Sequence, residues 1–304
     1  MPVFKYDSMT RFQNLFLKLT LFNTTILKMS LLPSEYTFRH SPLSNITTPA
    51  TIVVAYLALV FVFIRVNDAR RKANNGVLIP LLTSPSVLVF HNLFLSIGSL
   101  IMFFGCAVEV VRRWRAEGST FWMFCEREGA SATGTLYFWS YIYYLSKYYE
   151  LFDTFLGLWR GSRIPNFKIQ VYHHVVVIFM AWAWCETAQS LQFIGLLFNT
   201  FVHVIMYIYF AASAGKWFEY YNIDSKWKKT IKMTITRIQI TQFVTSFVCL
   251  AISVYIESLR SSTDKHCSGF GADSYYALYG NSIFNLTMLL AFLNVFSVNN
   301  KKKV

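Results

Sequence analysis

Lys168-Ile-Gln-Val-Tyr-His173-His174-Val-Val-Val-Ile-Phe-Met-Ala-Trp-Ala-Trp184 is apolar enough to lie in a membrane, yet two adjacent histidines interrupt it near its start. On a helix Gln170, His173 and His174 fall at i, i+3 and i+4, so the three polar side chains share one face. An ionisable group at membrane depth is costly unless it faces a protein interior or a wet cavity, which makes such residues functional candidates by default. A pair of histidines near a helix end, hydrogen-bonded and chemically idle, would satisfy the same pattern. These residues alone do not choose between the two readings.

The surrounding chain decides the setting. Of 304 residues 55% are hydrophobic and 18% aromatic, only 14% are charged, and the mean hydropathy is +0.40. A soluble domain carries about a quarter charged residues, so the composition describes a polytopic membrane protein. Pro and Gly are sparse, and neither a linker nor a fixed-period repeat stands out. A span needs roughly 20 mostly apolar residues, and seven stretches qualify: 50–65, 87–110, 136–157, 168–185, 190–213, 231–257 and 274–297. The fourth and fifth meet at Cys185-Glu-Thr-Ala-Gln-Ser190, a connection short enough to predict an antiparallel hairpin. The expected fold is all-α, with seven transmembrane helices.

Basic residues set the orientation. Loops one–two, three–four and five–six hold twelve, among them Arg70, Arg160 and Lys228; the alternate loops hold six, interspersed with Glu117, Glu126, Glu128 and Asp264. This places the amino terminus in the lumen and the carboxyl terminus in the cytosol, although the N-terminal tail is itself basic. The net charge of +13 is spread between spans, which fits anionic lipid head groups and excludes nucleic acid as a partner. The expected organisation is a lumenal tail over 1–49, a membrane domain over 50–298 and a cytosolic tail over 299–304. That tail ends Lys301-Lys302-Lys303-Val304, the pattern of a dilysine endoplasmic reticulum signal; the positive-inside bias alone also produces a lysine-rich end. Among sequons, Asn23 in the tail is the expected glycosylation site, since Asn45 lies close to the first span. Cys125 and Cys267 fall in loops assigned to the oxidising lumen and are expected to form a disulfide.

Three polar clusters interrupt the spans. Lys147, Glu150 and Thr154 lie on one helical face, with Asp153 on its shoulder; Gln170, His173 and His174 form the second; Asn199, His203, Met206 and Tyr207 form the third. Each has an idle reading, respectively an intrahelical ion pair, a helix start and a satisfied core histidine. In the expected topology, however, all three meet in the cytosolic half of the membrane. A patch on the sixth span, Thr236-Arg237-Ile-Gln239-Ile-Thr-Gln242-Phe243, lies at similar depth. Of six histidines, His40, His91 and His266 read as distant from the cluster. Three remaining histidines are too few for a di-iron centre, and a single zinc site is the lesser alternative, so no metal is expected. Histidine as nucleophile or general base fits better, with Asp153 available to orient it.

These residues resemble the ELO (ELOVL-type) very-long-chain fatty acid elongases. The family pattern Lys-x-x-Glu-x-x-Asp-Thr appears as Lys147 to Thr154, Asn-x-x-x-His-x-x-Met-Tyr as Asn199 to Tyr207, and Thr-x-x-Gln-x-x-Gln-Phe as Thr236 to Phe243. The histidine box departs, with Gln170 where the common form has its first histidine. The resemblance covers roughly residues 50–300. It implies a 3-ketoacyl-CoA synthase in which the last six helices surround an acyl tunnel. Acyl-CoA and malonyl-CoA are then substrates rather than cofactors, and membrane lipid is the surroundings. The implied partners are the ketoacyl-CoA reductase, dehydratase and enoyl reductase of the elongation cycle, and the family tends to dimerise.

The catalytic set implied is His173, His174, His203, Asp153 and Glu150: His173 as acyl-accepting nucleophile, His174 and His203 on malonyl-CoA, and the two acids orienting imidazoles. Lys147 is expected at CoA phosphates, and Gln170, Asn199, Tyr207, Arg237, Gln239 and Gln242 at substrate. A receptor or a lipid transporter with a non-catalytic, cytosol-facing pocket is the rival reading, but nothing polar marks the other halves of spans three to five as a through route.

Overall fold

The computed structural model describes residues 35–72, 83–161, 164–260 and 266–301. Among them every extended element is helical, and pairing of β type is limited to single bridges at Thr37–Thr133 and Arg127–Cys267. The helices are α1 (Thr47–Lys72), α2 (Pro85–Glu117), α3 (Gly134–Glu150), α4 (Phe152–Trp159), α5 (Phe167–Thr187), α6 (Gln192–Ala214), α7 (Trp217–Tyr220), α8 (Ser225–Arg260) and α9 (Tyr275–Lys301). Their ends follow local chemistry. Ser84 accepts the Val87 amide and Pro85 opens α2. Gly118, with φ of 68°, closes it.

Among the described residues, five helices (α1, α2, α6, α8 and α9) are long and apolar enough to cross a membrane. The third and fourth expected spans do not qualify, and polar content explains both. α3 stops at Glu150 and α4 restarts at Phe152, while α5 is diluted by Lys168, Gln170, His173 and His174. Phe90, Phe94, Ile97, Ile101 and Phe104 form an exposed stripe along α2, as expected of a surface facing lipid.

Six helices close a ring in the order α2–α3–α5–α9–α8–α6, with α6 returning to α2. α1 stands outside it against α4 and α5, held by Asn67 Nδ2 donating to the Leu158 carbonyl at 2.6 Å and Tyr56 Oη lying 2.8 Å from Thr154 Oγ1. The expected hairpin of the fourth and fifth spans needs correction. α5 packs mainly on α3 and α9, and α6 on α2 and α8. Their short connection runs across the ring because Ala188 and Leu191 both take left-handed backbone angles, with φ of 46° and 71°. A narrow slot lies between the two helices, and Leu191 lines it.

That connection is embedded in a cap of loops. Leu191 donates its amide to Met123 O at 2.8 Å, Ser268 donates to Glu126 O at 2.7 Å, and Ser190 Oγ accepts the Glu126 amide at 2.9 Å. Cys125 and Cys267 are disulfide-bonded at the centre of this cap. Residues 36–46 join it too. Tyr36 and Phe38 are buried, and Trp182, Tyr141 and Tyr144 donate to the carbonyls of Ser44, Pro42 and Leu43. The packed domain therefore begins well before residue 50, and α9 runs through Lys301 instead of ending at 298. Asn23, residues 73–82, Arg163, Lys265 and the last three residues lie outside the described residues.

A non-reducing digest should yield one peptide pair joined through Cys125 and Cys267. Replacing both by Ser should lower stability by about 2–5 kcal/mol in thermal unfolding. A free thiol at either position in folded protein would contradict the linkage.

Candidate active site

The site grows from a fault in a helix. At Leu151 the hydrogen bonds tighten to the i→i−3 pattern, with Leu151 N donating to Tyr148 O and Thr154 N to Leu151 O. A constant 100° per residue puts Lys147, Glu150 and Thr154 on one face with Asp153 beside them. The axis breaks there, where α3 ends and α4 begins. Lys147 reaches Asn199 on α6, while Asp153 meets both His91 on α2 and Tyr207 on α6.

Lys147 is 1% exposed, and its Nζ donates to Glu150 Oε1 at 2.6 Å and to Asn199 Oδ1 at 3.2 Å. It also sits 4.0 Å from the Tyr143 ring centre, and Tyr143 Oη donates to Asn199 at 2.9 Å. The lysine is thus enclosed and already paired, which corrects its expected place at CoA phosphates. A phosphate would have to displace a buried carboxylate to reach it.

Asp153 has partners of its own. His91 Nε2 lies 2.6 Å from one carboxylate oxygen, and Tyr207 Oη donates to the other at 2.7 Å. The expectation that His91 lies apart from the cluster is therefore wrong: it reaches Asp153 from α2 and meets Tyr149 Oη at 3.3 Å through Nδ1. Residue spacing within α2 carries no signal for this contact, because it joins residues 62 positions apart. Tyr56, which meets Thr154, was missed for the same reason.

The remaining groups converge around Glu150. His203 Nδ1 is 3.7 Å from Glu150 Oε1, and Glu150, His173 and His203 each bring one donor atom within 4.8 Å of the others. Glu150 Oε2 and the Nδ1 atoms of His173 and His174 are buried and have no hydrogen-bond partner. His173 lines the slot, whereas the buried His174 packs behind it at 5.6 Å between ring centres. One carboxylate and two imidazoles are the donor types of a mononuclear zinc or iron site. The Lys147 ammonium, 2.6 Å from the same carboxylate, opposes a cation there. The trio suits proton handling and nucleophilic attack.

From His173 and Asn199 the slot runs past Val177, Ala181 and Trp184 to Leu191, between α5, α6, α8 and α9. Eleven residues of helix separate His173 from Trp184, a rise of about 16 Å. Gly195 lets the far end narrow, because a Cβ there would stand 2.8 Å from the Trp184 ring.

The other expected residues separate. Gln242 lines the slot. Gln239 Nε2 instead bridges to Met206 Sδ at 3.7 Å. Arg237 is exposed, with its guanidinium carbon 5.6 Å from the Phe296 ring centre, away from the slot. Gln170 is half-buried at the start of α5 and does not line the slot.

Comparison with known proteins gives this arrangement a context. Residues 41–303 match the sequence profile of the ELO family, described as the GNS1/SUR4 family. A Dictyostelium discoideum sequence carrying a fatty acid elongase name is 32% identical over 272 residues, spanning 88% of this chain and 81% of its own. Fatty acid elongase A of the same organism is 27% identical, spanning 84% and 82%. Fatty acid elongase 2 of Trypanosoma brucei brucei is 28% identical, spanning 73% and 78%.

His91→Ala strands a carboxylate oxygen of Asp153 and should cost about 1–3 kcal/mol of stability. His91→Gln retains an N–H donor and should recover part of the loss. Equal melting temperatures for wild type and His91→Ala in the same detergent would refute the contact.

Proposed function

The chain belongs to the ELO family of fatty acid elongases, and from that premise we propose that it catalyses the condensing step, joining an acyl-CoA to malonyl-CoA. The products are a 3-ketoacyl-CoA two carbons longer, CO2 and CoA. One observation carries this reading: His173 stands at the slot with an unpartnered Nδ1, within reach of Glu150 and His203.

An imidazole nitrogen of His173 attacks the thioester carbonyl carbon. The carbon–sulfur bond breaks, CoA departs as the thiol with the imidazole proton, and an acyl-imidazole remains with its chain along the slot. Malonyl-CoA then loses CO2, and the electron pair left on its α-carbon attacks the acyl carbonyl. The new carbon–carbon bond forms as the carbon–nitrogen bond to His173 breaks, and the departing imidazole nitrogen takes a proton from water. His203 and His174 polarise the malonyl group. Glu150, fixed by Lys147, orients the imidazole of His203 through the same oxygen, 3.7 Å from its Nδ1. Asp153 acts at one remove, holding Tyr207 beside the His203 ring, 5.4 Å away. Gln170 can donate and accept a hydrogen bond, but it cannot carry a proton between groups.

The same reading sets the chain in the endoplasmic reticulum membrane with seven spans, counting α3–α4 and α5 as two of them. The amino terminus and the disulfide cap face the oxidising lumen, and the CoA moieties enter from the cytosol. Lys216, Lys226 and Lys229, exposed around α7, are available to phosphates there; they replace Lys147 in that role. The family tends to dimerise, and we assign this chain the same habit. The reductase, dehydratase and enoyl reductase that complete the cycle are its functional partners.

His173→Ala should abolish both acyl transfer and condensation in membranes supplied with labelled malonyl-CoA and a range of acyl-CoAs. Undiminished release of CoA from acyl-CoA alone would exclude His173 as the acyl carrier.

A further inference from the structure

Five side chains from four helices form a row that leads from the outside of the bundle to the polar cluster. It begins at Tyr149, which is 37% exposed and packs against Phe94 of the exposed α2 stripe. Tyr149 Oη lies 3.3 Å from His91 Nδ1, and His91 Nε2 lies 2.6 Å from Asp153 Oδ1. Tyr207 Oη donates to the other Asp153 oxygen at 2.7 Å. The Tyr207 ring then stands edge-on to the His203 ring, at 86° and 5.4 Å between centres.

The hydrogens in this row follow from the groups present. A carboxylate only accepts, so both contacts to Asp153 are donations. His91 therefore carries its hydrogen on Nε2, and the other nitrogen of a neutral imidazole accepts the Tyr149 hydroxyl. Tyr149 thus fixes the tautomer in which His91 serves Asp153.

Holding helices together does not require such a row. α2 and α6 already share the most extensive packing in the ring, and apolar side chains would join them without a carboxylate in between. What the hydrogen bonds add is direction. A carboxylate held at both oxygens is fixed in orientation, and it fixes the Tyr207 hydroxyl in turn. The ring that bears this hydroxyl is a wall of the space in which His203, 6% exposed, is confined. Glu150 Oε1, 3.7 Å from His203 Nδ1, is a second neighbour. Supporting groups of this kind hold a reacting side chain within the narrow limits that chemistry demands.

On the condensing reading above, we infer that His91 is a positioning residue for the malonyl-dependent half of the reaction. Acting through Asp153 and Tyr207, it sets the orientation of the His203 imidazole. The row ends at His203 and does not include the acyl carrier His173.

Two rates are measured in the same membranes bearing full-length protein: the burst of CoA release from acyl-CoA alone, and 3-ketoacyl product after addition of labelled malonyl-CoA. The folded fraction cancels in their ratio, so lost stability does not move it. His91→Leu keeps bulk but removes the donor, and should lower product relative to CoA release roughly 10- to 100-fold. The fall should lie in kcat, with KM for malonyl-CoA little changed. His91→Gln offers an amide N–H in place of Nε2 and should recover most of the loss. Tyr207→Phe keeps the ring but cuts its link to Asp153, so the ratio should already be low. Adding His91→Leu to that variant should lower it little further. A ratio unmoved by His91→Leu, no recovery in His91→Gln, or losses that multiply independently in the double variant would overturn the inference and leave condensation standing. Wild-type membranes that form no malonyl-dependent product, whatever CoA they release, would remove the condensing function and the role of His91 with it.

Discussion

The buried ion pair of Lys147 and Glu150 is the constraint on which the site depends. Neither side chain reaches solvent, and the pair is 2.6 Å apart within α3. Such pairs are tolerable only when the remaining polar capacity is satisfied. Asn199 and the Tyr143 ring supply that on the lysine side, so the pair also fixes α6 against α3. Glu150 keeps one oxygen, Oε2, unpartnered, while the oxygen that Lys147 holds lies 3.7 Å from His203 Nδ1. Removing either charge would leave the other stranded, at a cost of about 3–5 kcal/mol. The pair thus positions the chemistry through electrostatics that the bundle cannot easily abandon.

Asp153 forms a second, separate node. Its two oxygens are taken by His91 from α2 and Tyr207 from α6, helices that already share the most extensive packing in the ring. The two carboxylates therefore divide along the same stretch of chain. Glu150 stands beside His173 and His203, and Asp153 ties α2 to α6. The break at Leu151, between α3 and α4, lies between them.

Much of this is legible in the sequence. Hydropathy located every long helix, and the polar interruptions at Lys147–Thr154, His173–His174 and Asn199–Tyr207 marked the residues that gather. Cysteine placement found the link from Cys125 to Cys267. The misreadings share one cause: a helical wheel describes a face, not its neighbour. It assumed an unbroken α3, so Asp153 was aimed at the histidines. It could not see that α2 brings His91 to Asp153, nor that a four-residue connection with two left-handed positions carries α6 across the ring from α5. Arg237, expected at substrate, lies with its long side chain over Phe296 instead.

The order of the helices along the chain has a further consequence. Lys147, Glu150, His173 and His203, together with the His91–Asp153–Tyr207 node, all lie on α2 through α6, whereas α8 and α9 close the ring around the slot. The polar cluster and the helices that complete its enclosure are thus written in consecutive portions of the gene. Mutational drift in the last third of the coding region can reshape the slot while the polar cluster stays untouched. A ribosome, likewise, finishes the cluster before it begins the helices that enclose it.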